Sequence, residues 1–332
     1  MELVTADDVR AAATRLQGHV VRTPLTAAPE ESDLLLKPES LQPTGAFKLR
    51  GATNAVALLN PVQREHGVVT HSSGNHGLAL AHAAARQGVS CTVVVPEGAP
   101  ETKVDRIRAL GARVVTVPPA ERLAAATELR DRELLALVPP FDDPRVIAGQ
   151  GTVGLEILEQ SPEVTTIVVP VGGGGLASGV ATAAGTVHPH RVRVVGVEPE
   201  LAADAAESLR EGRLVTWGPE LTYRTMADGV RTCLSERTFA HLAVRLDEIV
   251  TVTEEEIASA VAALAHGARL VTEPSGALAA AAVLAGKVDT VPGRPGATVA
   301  VVSGGNVDPD LFGRLVARTW PAPGPYPGQA RS

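Results

Sequence analysis

Short apolar runs alternate along most of this chain with longer stretches whose apolar residues recur at helical spacing. Gly67-Val68-Val69-Thr70 predicts a strand, followed by a helix from about Asn75 to Arg86. Cys91-Thr92-Val93-Val94-Val95 predicts the next strand, with a helix from Thr102 to Leu110. Val114-Val115-Thr116-Val117 predicts a third, with a helix from Ala120 to about Leu137. Such alternation indicates βαβ units and a parallel sheet. A second series places strands at 166–170, 192–197, 248–252 and 298–302, with helices from Glu254 to His266 and from Ser275 to Leu284. Its first two strands are apolar almost throughout, as in a sheet covered on both faces.

Upstream, Thr5-Ala6-Asp7-Asp8 caps a first helix that carries Val9, Ala12, Ala13 and Leu16 on one face. Leu34-Leu35-Leu36-Lys37 predicts a short strand. A helix after Lys48 runs through Ala52, Val56 and Leu59 and is stopped at Asn60-Pro61. Residues 321–332 are rich in Pro and Gly and are expected to form a frayed, flexible tail. No internal repeat is visible.

Composition narrows the class. The 332 residues are 45% hydrophobic and 20% charged, which fits a folded soluble protein, and aromatics are only 2%, so Ala, Val and Leu must fill the core. The net charge of −7 arises from mixed signs without a long basic run, which argues against nucleic acid as a partner. Cys91 and Cys233 are too far apart in sequence to suggest a disulfide framework or a zinc site, and a reducing cytoplasm is expected. The acidic N-terminus shows no signal peptide, and no apolar stretch is long enough for a membrane.

Three segments carry the chemistry. Lys48 lies in Thr44-Gly45-Ala46-Phe47-Lys48-Leu49-Arg50-Gly51-Ala52, and taken alone it would read as a surface lysine. Gly172 to Gly175 follow one apolar strand and open a helix. Without Cβ atoms, their N–H groups can converge on an anion at the helix N-terminus. No Gly-Lys-Ser/Thr follows, and Ala177 takes the last position of a Gly-x-Gly-x-x-Gly pattern, so a compact monophosphate fits better than NAD or ATP. Ser303-Gly304-Gly305-Asn306 follows another strand. A lysine, a phosphate cradle and a late polar turn are the parts needed to hold pyridoxal phosphate as a Schiff base.

Five motifs, in order, extend this reading: Lys48 with its neighbours, Ser72-Ser73-Gly74-Asn75-His76-Gly77, Ile147-Ala148-Gly149-Gln150-Gly151-Thr152, the glycine run, and 303–306. On them, and from about Thr5 to Arg318, the chain resembles the threonine/serine dehydratase and serine racemase family of pyridoxal-phosphate enzymes, of the tryptophan-synthase-β fold type. The resemblance implies an α/β fold of two domains, each a mostly parallel sheet covered by helices. Residues 1–54 and 144–320 would form the large cofactor-binding domain and 55–143 a small mobile substrate domain. It implies a homodimer as well.

The roles implied are specific. Lys48 would carry the Schiff base and take the Cα proton, with Phe47 packed on the cofactor. Asn75 would bond the ring hydroxyl, Gly172, Gly173, Gly174 and Gly175 the phosphate, and Ser303 the ring nitrogen. Ser72, Ser73, Asn75 and His76 would take the substrate carboxylate, although Ser-Ser-Gly-Asn is also ordinary turn chemistry. Ser73 would face the cofactor opposite Lys48 as a second acid or base. Glu198, the Ala202 carbonyl and Asp204 match positions that hold a divalent cation, and oxygen ligands suit Mg²⁺, Ca²⁺ or Mn²⁺. An acidic helix start is the plainer alternative there.

The chain departs from the family at Ala46, often a serine; at Leu78, where racemases tend to carry glutamine; and at 27–33, which is short. No C-terminal regulatory domain follows, so the catabolic dehydratases are the nearer kin. Arg122 corresponds to a substrate-side arginine or is simply a solvated helix residue. The expected activity is an L-serine/L-threonine dehydratase. The alternative is a serine racemase or L-threo-3-hydroxyaspartate dehydratase. A cofactor-binding protein without catalysis fits less well, since Lys48, Asn75, the glycine run and Ser303 are all present.

Overall fold

The computed structural model describes residues 2–28, 33–187, 192–290 and 297–317. The expected tail at 321–332 and most of the short segment at 27–33 lie outside those residues. In chain order the elements are α1 (Ala6–Leu16), β1 (Thr26–Ala27), β2 (Leu34–Pro38), α2 (Lys48–Ala57), α3 (Pro61–His66), β3 (Val68–Thr70), α4 (Asn75–Arg86), β4 (Cys91–Pro96), α5 (Glu101–Ala109), β5 (Arg113–Val117), α6 (Arg122–Glu133) and β6 (Ala136–Leu137). There follow α7 (Pro144–Gln160), β7 (Thr166–Pro170), α8 (Gly175–Val187), β8 (Arg193–Pro199), α9 (Asp204–Glu211), α10 (Pro219–Thr222), α11 (Glu236–Arg245), β9 (Glu248–Val252), α12 (Glu254–Gly267), α13 (Pro274–Leu284), β10 (Thr298–Val302) and α14 (Pro309–Val316).

The strands make two sheets, one of six strands in the order β1-β2-β10-β7-β8-β9 and one of four in the order β5-β4-β3-β6. Every neighbouring pair is parallel except β1 with β2. Parallel pairs need covered crossovers, and the core shows both faces of the larger sheet buried. Ile167 and Val169 of β7, with Val299 and Val301 of β10, pack on one side with Val180 and Ala184 of α8. Val168, Ala300 and Val302 pack on the other with α12 and α13. Alanines crowd that second face (Ala258, Ala277, Ala280, Ala281), which lets two helices settle close on the strands without large side chains. The smaller sheet repeats the scheme, Val68 and Val93 facing α2 and α4, Val69 and Val94 facing α6.

Three local outcomes differ from the pattern-based expectation. The helix after Ala120 does not reach Leu137: Leu134 takes a left-handed φ of 56° and turns the chain, so that Ala136 and Leu137 pair with Val68 and Val69 as an added strand. Pro61 does more than end α2, which already stops at Ala57. With Asn60 as a capping box, it starts α3, where a missing N–H costs nothing. The seventeen-residue α7, which the periodic pattern does not mark, is buried on nearly every side, Gly149, Gly151 and Gly154 included. Those glycines are contact points. A Cβ on Gly149 would lie 2.7 Å from the Arg50 carbonyl of α2. Thr5 caps α1 reciprocally with Asp8, as expected.

Helix α2 is the hinge of this arrangement. Its Leu49, Ala52 and Val56 belong to the core of the smaller sheet, while Gly51 donates its N–H to Gln150 of α7 at 3.1 Å. Fully buried Arg50 grips Glu39 with Nε and Nη2 (2.7 and 2.8 Å) and Glu156 with Nη1 and Nη2 (2.7 and 2.9 Å). Lys37 Nζ completes the cluster on Glu156, the Thr23 carbonyl and Gln160 (2.6, 2.6 and 2.9 Å). No helix among the described residues is long and apolar enough to cross a membrane.

Candidate active site

Lys48 opens α2 from a loop stitched to the turn after β10. Phe47 N–H donates to the Ser303 carbonyl at 3.0 Å, Gly305 N–H to the Gly45 carbonyl at 2.8 Å, and Ala46 bridges Gly304. Those backbone bonds bring two distant motifs side by side. The Lys48 amine donates to the Pro140 carbonyl at 2.7 Å and stands 5.0 Å from the centre of the Phe47 ring. Among the described residues no carboxylate pairs with it, and burial pushes its pKa down to about 8. A lysine held this way is partly neutral, and so nucleophilic, near physiological pH.

The Ser72–His76 segment forms a wall of the candidate site at the N-terminus of α4. Ser72 and Ser73 are half-exposed, and Ser72 Oγ accepts the Gly74 N–H in a loose 3.4 Å contact. No side chain caps the helix, which leaves its first N–H groups available to an anion. Asn75 is held at both ends: its Nδ2 donates to Glu273 Oε1 at 2.6 Å and its Oδ1 accepts Asn306 Nδ2 at 2.8 Å. His76 lies beneath the wall. Its Nε2 bonds the Val138 carbonyl at 3.0 Å, its Nδ1 is buried without a partner, and burial together with the Lys48 charge drives its pKa down to about 3. His76 is therefore a neutral imidazole. Burial, and then Arg122 at the start of α6, lower the pKa of His71, the residue preceding the wall.

The glycine run follows β7 and leads into α8. Gly174 has a φ of +81°, open to glycine without strain, and a Cβ there would lie 2.6 Å from Leu234. The Phe141 ring packs against Gly173, and Gly175 lies against the Phe141 Cβ and backbone, so side chains at those positions would force Phe141 away. What remains is a turn with bare backbone N–H groups ahead of a thirteen-residue helix. Ser303 is buried, with only a 3.5 Å contact from its Oγ to the Ser275 carbonyl. Lysine, glycine turn, Asn75 and Ser303 thus provide an uncompensated amine, an anion cradle, an amide and a barely engaged hydroxyl. That set fits pyridoxal phosphate.

Glu198 ends β8, Ala202 sits in the 3-10 turn that follows, and Asp204 starts α9. Glu198 accepts the N–H groups of Ala205 and Ala206 at 3.1 and 2.7 Å. Burial, then the charge of Asp204, raises Glu198 well above the usual carboxylate range, and burial raises Asp204 too. Asp204 Oδ2 is buried without a partner. Two buried, mutually repelling carboxylates with an orphaned oxygen suit a hard cation, although among the described residues no cluster of three acidic, His or Cys side chains occurs.

Sequence reasoning did not single out Glu273 or Arg106. Glu273-Pro274 looks like an ordinary acidic helix start, and Arg106 like one more charge on the solvent face of α5. Both meet the 303–306 turn only through the fold: Arg106 Nη1 donates to Asn306 Oδ1 at 2.9 Å, and Asn306 Nδ2 also reaches the Thr44 carbonyl at 2.8 Å.

A half-buried lysine without a carboxylate partner and a bare glycine turn, set among two mostly parallel sheets, mark a cofactor-dependent class, and comparison with known proteins agrees. Residues 16–304 match the family described as pyridoxal-phosphate dependent enzyme, and this chain belongs to it. More narrowly, it belongs among the threonine dehydratases and serine racemases of that family. It is 41% identical over 324 residues to an L-threonine ammonia-lyase of Thermotoga maritima, covering 95% of this chain and 78% of that one. It is 40% identical over 309 residues to a serine racemase of Arabidopsis thaliana, covering 90% and 92%. A solved threonine deaminase from the organism abbreviated T.th. superposes with a TM-score of 0.83 at 42% identity, over 92% of this chain and 99% of that one.

Proposed function

We propose that the protein is an L-serine/L-threonine dehydratase that releases a 2-keto acid and ammonia. The observation that carries this reading is the Lys48 amine, buried, without a carboxylate partner and with its pKa near 8. Bound in this cleft, pyridoxal phosphate supplies the electron sink that permits a Cα–H bond to break. Lys48 would hold it covalently, and its amine, when free, would be the base for the Cα proton. A base with a pKa near 8 is well matched to neutral pH. The N–H groups of Gly172 to Gly175 take the phosphate, Phe47 flanks the ring, and the Asn75 amide meets the ring hydroxyl. Ser303 offers the ring nitrogen a hydroxyl instead of a carboxylate, so the nitrogen is not held protonated and loss of the β-hydroxyl is favoured over transamination.

Ser72, Ser73 and Asn75 receive the substrate carboxylate at the start of α4. His76, neutral and tied to Val138, supports that wall from beneath. Residues 55–143 act as a small domain that closes over the substrate and excludes water. Glu198, the Ala202 carbonyl and Asp204 hold Mg²⁺, Ca²⁺ or Mn²⁺ as a structural ion. The enzyme works as a cytoplasmic homodimer.

A second reading is favoured by Ser73, a half-exposed hydroxyl in the loop that leads into α4. Acting as an acid or base on the opposite side of Cα, it would make the enzyme a serine racemase or an L-threo-3-hydroxyaspartate dehydratase. One experiment separates the readings. The cofactor-loaded protein is incubated with L-serine, L-threonine and L-threo-3-hydroxyaspartate, and keto acid, ammonia and chirality are assayed together. Keto acid from serine or threonine supports the dehydratase; enantiomer without keto acid supports racemisation; turnover of none of the three sinks both. Lys48→Ala should lose the borohydride-reducible bond to the cofactor.

A further inference from the structure

Glu273 is 5% exposed and makes no ion pair among the described residues. It stands at the N-cap of α13, yet its side chain does not cap that helix. Instead Oε1 accepts the Asn75 Nδ2 at 2.6 Å, from across the cleft. The same oxygen lies so close to Gly304 that a Cβ there would collide with it, which is why the turn after Ser303 needs glycine at this position. The backbone closes the arrangement: Glu273 N–H donates to the Gly304 carbonyl at 3.2 Å.

The Asn75 amide is thereby held from two sides. Its nitrogen carries two hydrogens and its oxygen two lone pairs. Glu273 takes one hydrogen, and Asn306 Nδ2 donates to the oxygen at 2.8 Å. A carboxylate can only accept, so it selects the nitrogen end of the amide and leaves its second N–H for a ligand. A protonated carboxyl can donate, and then no longer makes that selection.

We propose that Glu273 is a positioning residue for Asn75: as a carboxylate it fixes the amide nitrogen with one N–H free for the ring hydroxyl of the cofactor, and as an acid it gives up its part of that hold, leaving the amide to Asn306 alone. This rests on the reading of Asn75 given above. The groups facing Glu273 come from four elements. Asn75 lies on α4, Lys103 on α5, Asp228 on the 3-10 turn at 228–230, and the Asn306 N–H on the turn after β10, with Arg106 of α5 reaching that turn through Asn306. Lys103 and Asp228 stand 3.5 Å apart and largely offset one another. Burial, with Asp228 adding to it, pushes Glu273 up to about 7 against the pull of Asn75, Lys103 and the Asn306 N–H. The release therefore falls in the physiological range.

The test uses cofactor-loaded wild type, Glu273→Gln, Glu273→Ala and Asn75→Ala, and follows the visible absorption band of the bound cofactor from pH 5.5 to 9, a window of roughly 1.5 to 2 units either side of the inflexion. Wild type should show an inflexion near pH 7. Glu273→Gln, neutral and able to donate like the acid form, should show the low-pH band across the whole range and lose the inflexion. Glu273→Ala should shift the band and weaken cofactor binding by about tenfold, the scale of one hydrogen bond to a charged group. Adding it to Asn75→Ala should change nothing further. If Glu273→Gln and Glu273→Ala both titrate like wild type, or if the two losses are additive, the role assigned to Glu273 is wrong. A wild-type protein without a visible band and without a reducible lysine bond overturns the cofactor reading itself, and this inference with it.

Discussion

Two cations stand two residues apart on α2, Arg50 fully buried and Lys48 half-buried, and live in opposite surroundings. Arg50 is fully buried with Glu39, Glu156, the Thr152 hydroxyl and the Val21 carbonyl around its guanidinium. Burial alone would lower its pKa, but the two carboxylates overcome that and hold the charge firmly. Lys48 has a carbonyl and a phenyl ring for company, and burial depresses it unopposed. A buried charge that is fully paired specifies structure: it locks α2 against α7 and the segment at 39–42. A buried amine left unpaired is costly to the apo fold and available for chemistry. The first therefore holds the second in place.

The largest effect should come from breaking the paired side. Arg50→Met leaves Glu39 buried without its cation and Glu156 with Lys37 alone, and is expected to cost about 3–5 kcal/mol. Urea unfolding of the cofactor-free protein measures it, and a loss below about 1 kcal/mol would erase the distinction between the two sites.

The acidic pair at Glu198 and Asp204 is the anionic counterpart of Lys48, and a cation should relieve it. Saturating divalent ion at about 100 times its Kd would add about 2.7 kcal/mol, and chelation should lower the melting temperature of the wild type while leaving Asp204→Asn unmoved. Equal responses to chelator from both proteins would remove the metal from this account.

Lys48→Met should stabilise the cofactor-free protein by on the order of 1–2 kcal/mol while abolishing turnover. The sign follows from linkage. Its folded pKa, about 8, lies below its ordinary 10.5, so the native state binds fewer protons than the unfolded state between those values. Wild-type stability then falls as pH drops from 10.5 to 8 and stays reduced below. The gain in Lys48→Met should be greatest below pH 8 and fade towards 10.5. Urea midpoints at three pH values across the window would show it, and a gain independent of pH would point to packing instead. Smallest of all is the exposed Glu128–Arg132 pair on α6, 3.2 Å apart with both side chains mostly in solvent. Glu128→Ala should leave the unfolding curve where it was.

Much of the fold was readable along the chain because its signals are local. The apolar runs that became β7 and β10 are buried at every position, the covered-sheet pattern that continuous Val and Ile imply. The capping box at Thr5 needs only Asp8, three residues on. Where the reading failed, the deciding partner was remote. Ala136 and Leu137 are a strand only because Val68 and Val69 offer an open edge, and α7 went unmarked because α2 and α8 bury it on nearly every side.

The candidate site divides in the same way. Lys48, the glycine run and Ser303 announce themselves by residue type and by their place after a strand or before a helix, since a Schiff base and a phosphate each demand a particular group in a particular local geometry. Nothing local marks Glu273 or Arg106, and nothing local separates Arg50 from Lys48 as paired and unpaired cations. Charge state depends on distance and burial, and both arise when segments hundreds of residues apart pack together. The chain order specified which groups are present; packing alone assigned each its partner, or left it without one.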